Sequence, residues 1–141
     1  MEQIEVKLKN DIMYAEIPFW SVIDGGYLDM VVMIDTGATT TAFASNALKR
    51  IGCYSEAKKG KARTAGGFVD TYEVQIPKIK IGNMELAEVG VSSHEQLNDF
   101  PFDGILGMNV LMQFNFNVDF DENMITLKRR LGKRSSLNIN G

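Results

Sequence analysis

Met33-Ile34-Asp35-Thr36-Gly37-Ala38-Thr39-Thr40 is the stretch on which the reading of this chain turns. An apolar run, Met30 to Ile34, ends directly in an acid. A hydroxyl and a glycine follow. This order puts a carboxylate at the end of a buried strand, where its surroundings perturb its proton affinity. Gly37 lets the backbone approach closely and take conformations closed to other residues. Thr36 can hydrogen-bond across an interface or back to its own chain. Asp-x-Gly alone also describes an ordinary strand followed by a turn.

Working outward, period-two alternation dominates and predicts strands. Glu2–Leu8 puts Ile4, Val6 and Leu8 on one face, and Ile12–Ile17 alternates less cleanly. Asp24-Gly25-Gly26 is a turn that closes a hairpin into Tyr27–Ile34, a run apolar enough for a central strand. Thr40–Ser45 reads as a short strand. Asn46–Ile51 reads as a helix with Gly52 as its cap. Ser55–Arg63 is polar and basic, a loop or exposed strand. Ala65-Gly66-Gly67 is a turn into Phe68–Ile76, which Pro77 interrupts before Lys78–Ile81. Gly82-Asn83 turns into Met84–Val91. Ser92–Phe100 is polar and reads as a loop. Met108–Phe114 has helical composition, Phe114–Phe120 and Met124–Leu127 alternate, and Asp121-Glu122-Asn123 turns between them. The class is mainly β with one or two short helices.

The 141 residues suffice for one domain with its own core. The expected division is a domain over 1–130 and a basic, polar tail over 131–141. Lys+Arg number 15 and Asp+Glu 18, so a strongly basic nucleic-acid binder is not indicated. The run Lys128, Arg129, Arg130, Lys133, Arg134 reads as a solvated tail. No apolar stretch is long enough to span a bilayer as a helix, and Met1–Glu5 lacks a signal-peptide layout. The one cysteine, Cys53, forms no internal disulfide and reads as a small packed hydrophobe. The one histidine, His94, lies in polar Ser92–Gln96 and reads as solvated. A His-based zinc site or a Ser-His-Asp triad is hard to build within one chain, and no cofactor or metal is expected. Trp20, beside Phe19, reads as core or interface. The default compartment is the cytoplasm.

Two chemical readings of Asp35-Thr36-Gly37 compete with the simple turn. One is the phosphate-binding loop of actin-like kinases and chaperone ATPases, a fold of two large lobes for which 141 residues are too few. The other is the active-site turn of aspartic proteases. Phe102-Asp103-Gly104-Ile105-Leu106-Gly107-Met108-Asn109-Val110-Leu111 decides between them. With that second segment, the chain over roughly residues 10–127 resembles the retropepsin-like aspartic proteases. Asp35-Thr36-Gly37-Ala38 stands where that family has Asp-Thr/Ser-Gly-Ala, Ala65-Gly66-Gly67-Phe68 where it has its glycine-bearing flap, and Ile105-Leu106-Gly107 where it has an apolar-apolar-Gly motif.

The resemblance implies a single-domain closed β-barrel and an aspartic endopeptidase acting on peptide or protein substrates. It implies Asp35 as the catalytic acid, Thr36 as the hydroxyl that locks two active-site loops across a dimer, and Gly37 as groove backbone. Ala38 and Thr39 are implied groove residues, and Ala65, Gly66, Gly67 and Phe68 an implied flap over the substrate. Retroviral members usually carry an acid at the position of Thr39 and an arginine at that of Met108. Both are missing here, so no orphan charge remains, and the dimer must be held by other contacts. One Asp-Thr-Gly copy supplies one carboxylate, so the implied dyad takes Asp35 from each subunit of a homodimer. Asp103 lacks the neighbouring hydroxyl and reads as structural. The alternative is a non-catalytic peptide-binding or dimerisation module of the same fold.

Overall fold

The computed structural model describes residues 2–130. The expected tail over 131–141 lies outside the described residues. The alternating segments form strands. β1 (Glu2–Lys9) turns through Asn10 and Asp11, at φ 53° and 63°, into β2 (Ile12–Ser21). Two positive φ values are what a tight hairpin requires, and Asn and Asp tolerate them. β2 turns into β3 (Gly26–Ile34) with Gly25 at φ +64°. There the Ser21 hydroxyl donates to Asp24 at 3.0 Å and accepts its N–H at 3.1 Å.

After β3 come β4 (Thr41–Ala44) and α1 (Ser45–Arg50), then β5 (Lys59–Thr64), β6 (Gly67–Ile81) and β7 (Met84–His94). β8 (Gly104–Leu106), α2 (Met108–Leu111), β9 (Phe114–Asp119) and β10 (Met124–Arg129) follow. α1 ends where Gly52 takes φ +76°. The Gly52 N–H then meets the Lys49 carbonyl and the Cys53 N–H the Leu48 carbonyl, at 3.1 and 2.9 Å.

The strands run β5-β6-β7-β4-β8-β3-β2-β1-β10-β9, and β2 also pairs with β6 where Phe19 meets Ile79. That contact closes six strands into a ring. β3–β8 and β4–β7 are the parallel pairs. Inside the ring, Phe19 and Phe43 are fully buried with ring centroids 4.8 Å apart. Ile17, Met30, Val32, Leu48, Ile76 and Val91 surround them, also fully buried. Each such side chain contributes about 1.5–3 kcal/mol through burial. This matches the mainly β class with two short helices.

Four expectations change. β2 runs through Phe19 and Trp20 to Ser21, so the aromatic pair is strand, with Phe19 inward. β6 does not stop at Pro77: Ile76 pairs with Val89 and Lys78 with Ala87, while Pro77 and the opposite Glu88 (φ 53°) make no registered pair. A proline is tolerated where the ladder asks for no N–H. Ser92–Phe100 is not simply a loop. Ser92 to His94 complete β7, and Glu95–Asp99 form a 3-10 turn. Leu8 is 45% exposed because it pairs with Met13 beside the hairpin turn, past the edge of the core.

Candidate active site

Asp35 follows β3 immediately and is half-buried. Its N–H donates to the Leu106 carbonyl at 3.1 Å, which carries the β3–β8 ladder one residue further. Its carboxylate Oδ1 accepts the Gly37 N–H at 2.8 Å, and its carbonyl accepts the Ala38 N–H at 3.3 Å. A Cβ on Gly37 would stand 3.1 Å from that Oδ1, so glycine keeps the amide free to approach. Thr36, Gly37 and Thr39 are exposed and Ala38 half-buried. Among the described residues no ion pair engages the Asp35 carboxylate.

The second segment holds this loop from behind. Met108 N–H donates to the Ala38 carbonyl at 2.7 Å and Asn109 N–H to that of Thr39 at 3.2 Å. Asn109 Oδ1 accepts from Thr41 N–H at 2.9 Å and from the Thr41 hydroxyl at 2.7 Å, and its Nδ2 donates to the Gly90 carbonyl at 2.9 Å. Gly107 N–H donates to Thr41 Oγ1 at 3.1 Å. Any side chain at Gly107 would put its Cβ 2.6 Å from the Thr40 carbonyl, so only glycine lets the two loops touch. Thr41 and Asn109 escaped the reading of the sequence. They are 68 positions apart, and a threonine after two others and an asparagine at a helix start carry no local signal.

Asp103 is structural, as its missing hydroxyl neighbour suggested. Its Oδ2 accepts the Val31 N–H at 2.9 Å, and its Oδ1 pairs with Arg50 Nη2 at 2.8 Å. It thereby ties α1 to β3.

Strand register shows which side of the sheet Asp35 occupies. Met33 pairs with Ile105, Ile105 with Ala42, Ala42 with Ser92 and Ser92 with Glu73. Paired residues share a face, so these five side chains form one row. Asp35, two residues beyond Met33, extends that face. The neighbouring row, Val32, Gly104, Phe43, Ser93 and Tyr72, lies on the other face. Four of these five are buried and belong to the core, while Met33, Ile105 and Ala42 are partly open. At the far end of the open face Ser92 Oγ lies 3.0 Å from His94 Nε2. His94 is half-buried rather than solvated, and burial pushes its pKa below the usual 6.5 while Glu73 opposes the shift.

The β5–β6 hairpin turns through Ala65 and Gly66, with Thr64 paired to Gly67. Gly67 takes φ +113°, a value that calls for glycine. The Thr64 hydroxyl donates to the Gly67 carbonyl at 2.9 Å and accepts the Gly66 N–H at 3.2 Å. Phe68 is 66% exposed, with the Arg63 guanidinium 5.3 Å from its ring. β5 pairs with β6 alone, so the hairpin projects from the ring. The fold thus joins Asp35, Ala38 and Thr39 to Leu106, Met108 and Asn109, while among the described residues no hydrogen bond ties Ala65–Phe68 to them.

A broad concavity lies elsewhere on the surface. It is a groove of about 1160 Å³ along β1 and β2, lined among others by Tyr14, Glu16, Val31 and Pro101, and Asp35 is not in its wall. Cys53 is half-buried and burial raises its thiol pKa, which fits a packing role. Trp20 meets Tyr27 edge-on at 5.3 Å under the Lys78 ammonium. Among the described residues no three His, Cys, Asp or Glu side chains gather to hold a metal ion, and no helix is long and apolar enough to cross a membrane.

Residues 21–110 match the family model described as Aspartyl protease. No curated protein sequence matches the chain. Among solved structures, the chain is similar to a retropepsin-like aspartic protease from Rickettsia conorii. The TM-score is 0.63 at 20% identity, over 89% of each chain. It is also similar to the EIAV protease complexed with the inhibitor HBY-793. There the TM-score is 0.54 at 18% identity, over 70% of this chain and 84% of that one.

Proposed function

This chain belongs to the aspartyl protease family and has the retropepsin-like fold, and from that premise we propose that it is an aspartic endopeptidase active as a homodimer. The observation that carries the reading is the Asp35 carboxylate, half-exposed, free of any cation among the described residues and held by the Gly37 amide. A second Asp35 brought beside it by a two-fold axis completes a dyad. Two carboxylates that close cannot both ionise, so they share one proton.

The ionised member takes a proton from a water whose oxygen attacks the peptide carbonyl, and the protonated member donates to the carbonyl oxygen. Collapse of the tetrahedral adduct returns a proton to the departing amine and leaves a carboxyl and an amine. Thr36, exposed beside Asp35, bonds across the axis in this dimer. The Gly37, Ala38 and Thr39 backbone offers polar groups to an extended peptide. Ala65-Gly66-Gly67-Phe68 closes over it as the flap.

Asp35→Asn tests the assignment. An asparagine Oδ1 still accepts the Gly37 amide, so circular dichroism and the sedimenting mass stay as in the parent. Peptide cleavage falls by about 10²–10⁴-fold. A variant that turns over peptide at the parent's rate contradicts the role of Asp35.

A further inference from the structure

The open face that carries Asp35 changes character along its length. Near the loop it presents Met33, Ile105 and Ala42, and at the hairpin base it presents the exposed Glu73 beside its register partner, the buried Ser92. Thr71 shares that face by alternation and is buried, and His94 adds a half-buried imidazole beside Ser92. We propose that this polar end is a substrate subsite that selects a cationic side chain, lysine or arginine, with Glu73 as its counter-charge. The inference rests on the reading of Asp35 as half of a peptide-cleaving dyad.

Three observations carry it. First, Gly60 makes room for the Glu73 carboxylate. A Cβ on Gly60 would stand 3.0 Å from Glu73 Oε1 and 3.2 Å from the Thr71 hydroxyl, so the acid lies over bare backbone on this face. Second, among the described residues no ion pair neutralises Glu73. The cations within β5 stand on the opposite face, where Lys59 pairs with Asp70 at 3.3 Å and Arg63 covers Phe68. Lys61, opposite Asp70 in the register, shares their side. Lys58 touches Glu73 through its carbonyl, which accepts the Glu73 N–H at 2.8 Å. Third, the reach is right. Met33 and Glu73 are four strand spacings apart, at most about 19 Å along the curved sheet, within the span of an extended peptide of about six residues. A substrate lying across the open face from Asp35 therefore meets Glu73 with one of its outer side chains, where the Thr71 hydroxyl and the Ser92–His94 pair flank the acid.

Binding to Asp35→Asn protein, by fluorescence anisotropy with labelled hexa- to octapeptides, tests this without turnover. Matched peptides carry lysine, norleucine or glutamate at each position in turn. At one outer position lysine binds about three- to tenfold tighter than norleucine, and glutamate binds weakest. Adding Glu73→Gln abolishes that preference and Glu73→Lys inverts it. Asp70→Asn, which removes a carboxylate from the other face of the same hairpin, leaves it intact. No lysine preference at any position, no peptide binding, or a preference that survives Glu73→Gln overturns the subsite. Cleavage by the parent protein separates the two readings. Cleavage without a Glu73-dependent preference keeps the dyad and rejects the subsite, whereas a Glu73-dependent binding preference in a parent that cleaves nothing keeps the subsite and rejects the dyad.

Discussion

His94 shows how much one residue's setting matters. It ends β7 with Nε2 against the Ser92 hydroxyl, and burial holds its pKa below 6.5 while Glu73 pulls the other way. The folded chain therefore resists a proton that the unfolded chain accepts. Its contribution to stability is complete above pH 6.5 and is lost as the pH falls through the lowered folded value. Thermal melts should show Tm declining as the pH drops below 6.5, with His94→Asn flattening that part of the curve. A Tm that holds steady or rises there in the parent contradicts the assignment. Asp35 was legible in the sequence because its signal is local, an apolar run ending in an acid, a hydroxyl and a glycine. The setting of His94 was not. Ser92, Ser93 and His94 are polar in composition, yet pairing with β4 and β6 buries both serine side chains, leaving the Ser93 hydroxyl without a partner among the described residues.

Elements make the site through contacts distant in sequence. Asn109, in α2, bonds to Thr41, at the start of β4, and to Gly90 of β7, so one amide side chain ties three elements behind the Asp35 loop. Asn109→Ala leaves a Thr41 N–H and a Gly90 carbonyl without those partners and should cost about 2–4 kcal/mol in urea unfolding. Asn109→Asp, which keeps the acceptor and loses the donor, should recover part of that. A loss below about 0.5 kcal/mol for the alanine variant would show that the latch is not structural. Hairpins and turns could be read from alternation and from Asp24-Gly25, Gly66-Gly67 and Gly82-Asn83. Non-local pairings left less: the three-residue β8 beside the active-site loop was marked only by the family's apolar-apolar-Gly motif, and the parallel β4–β7 pair leaves no trace in either segment. Pro77 misled for the same reason, since its tolerance depends on what the facing strand asks of it.

Among the described residues, a ring of six strands within a ten-stranded sheet carries the Asp-Thr-Gly loop and the projecting β5–β6 hairpin. Its core is complete within the chain, with Phe19 and Phe43 fully buried, whereas Thr36 and Gly37 stand exposed beside Asp35. That contrast fits a fold sufficient in one copy and a chemistry that needs two. The proposed dimer has no acid at Thr39 and no arginine at Met108 to pair, so it rests on other groups, with Thr36 the nearest to hand. The most direct test of a shared dyad is the activity of co-refolded mixtures of the parent and Asp35→Asn chains at constant total concentration. If each site needs an Asp35 from both subunits, activity follows the square of the parent fraction, about a quarter at equal proportions. Activity that falls in simple proportion, to about a half, would mean that each chain works alone and would contradict the account.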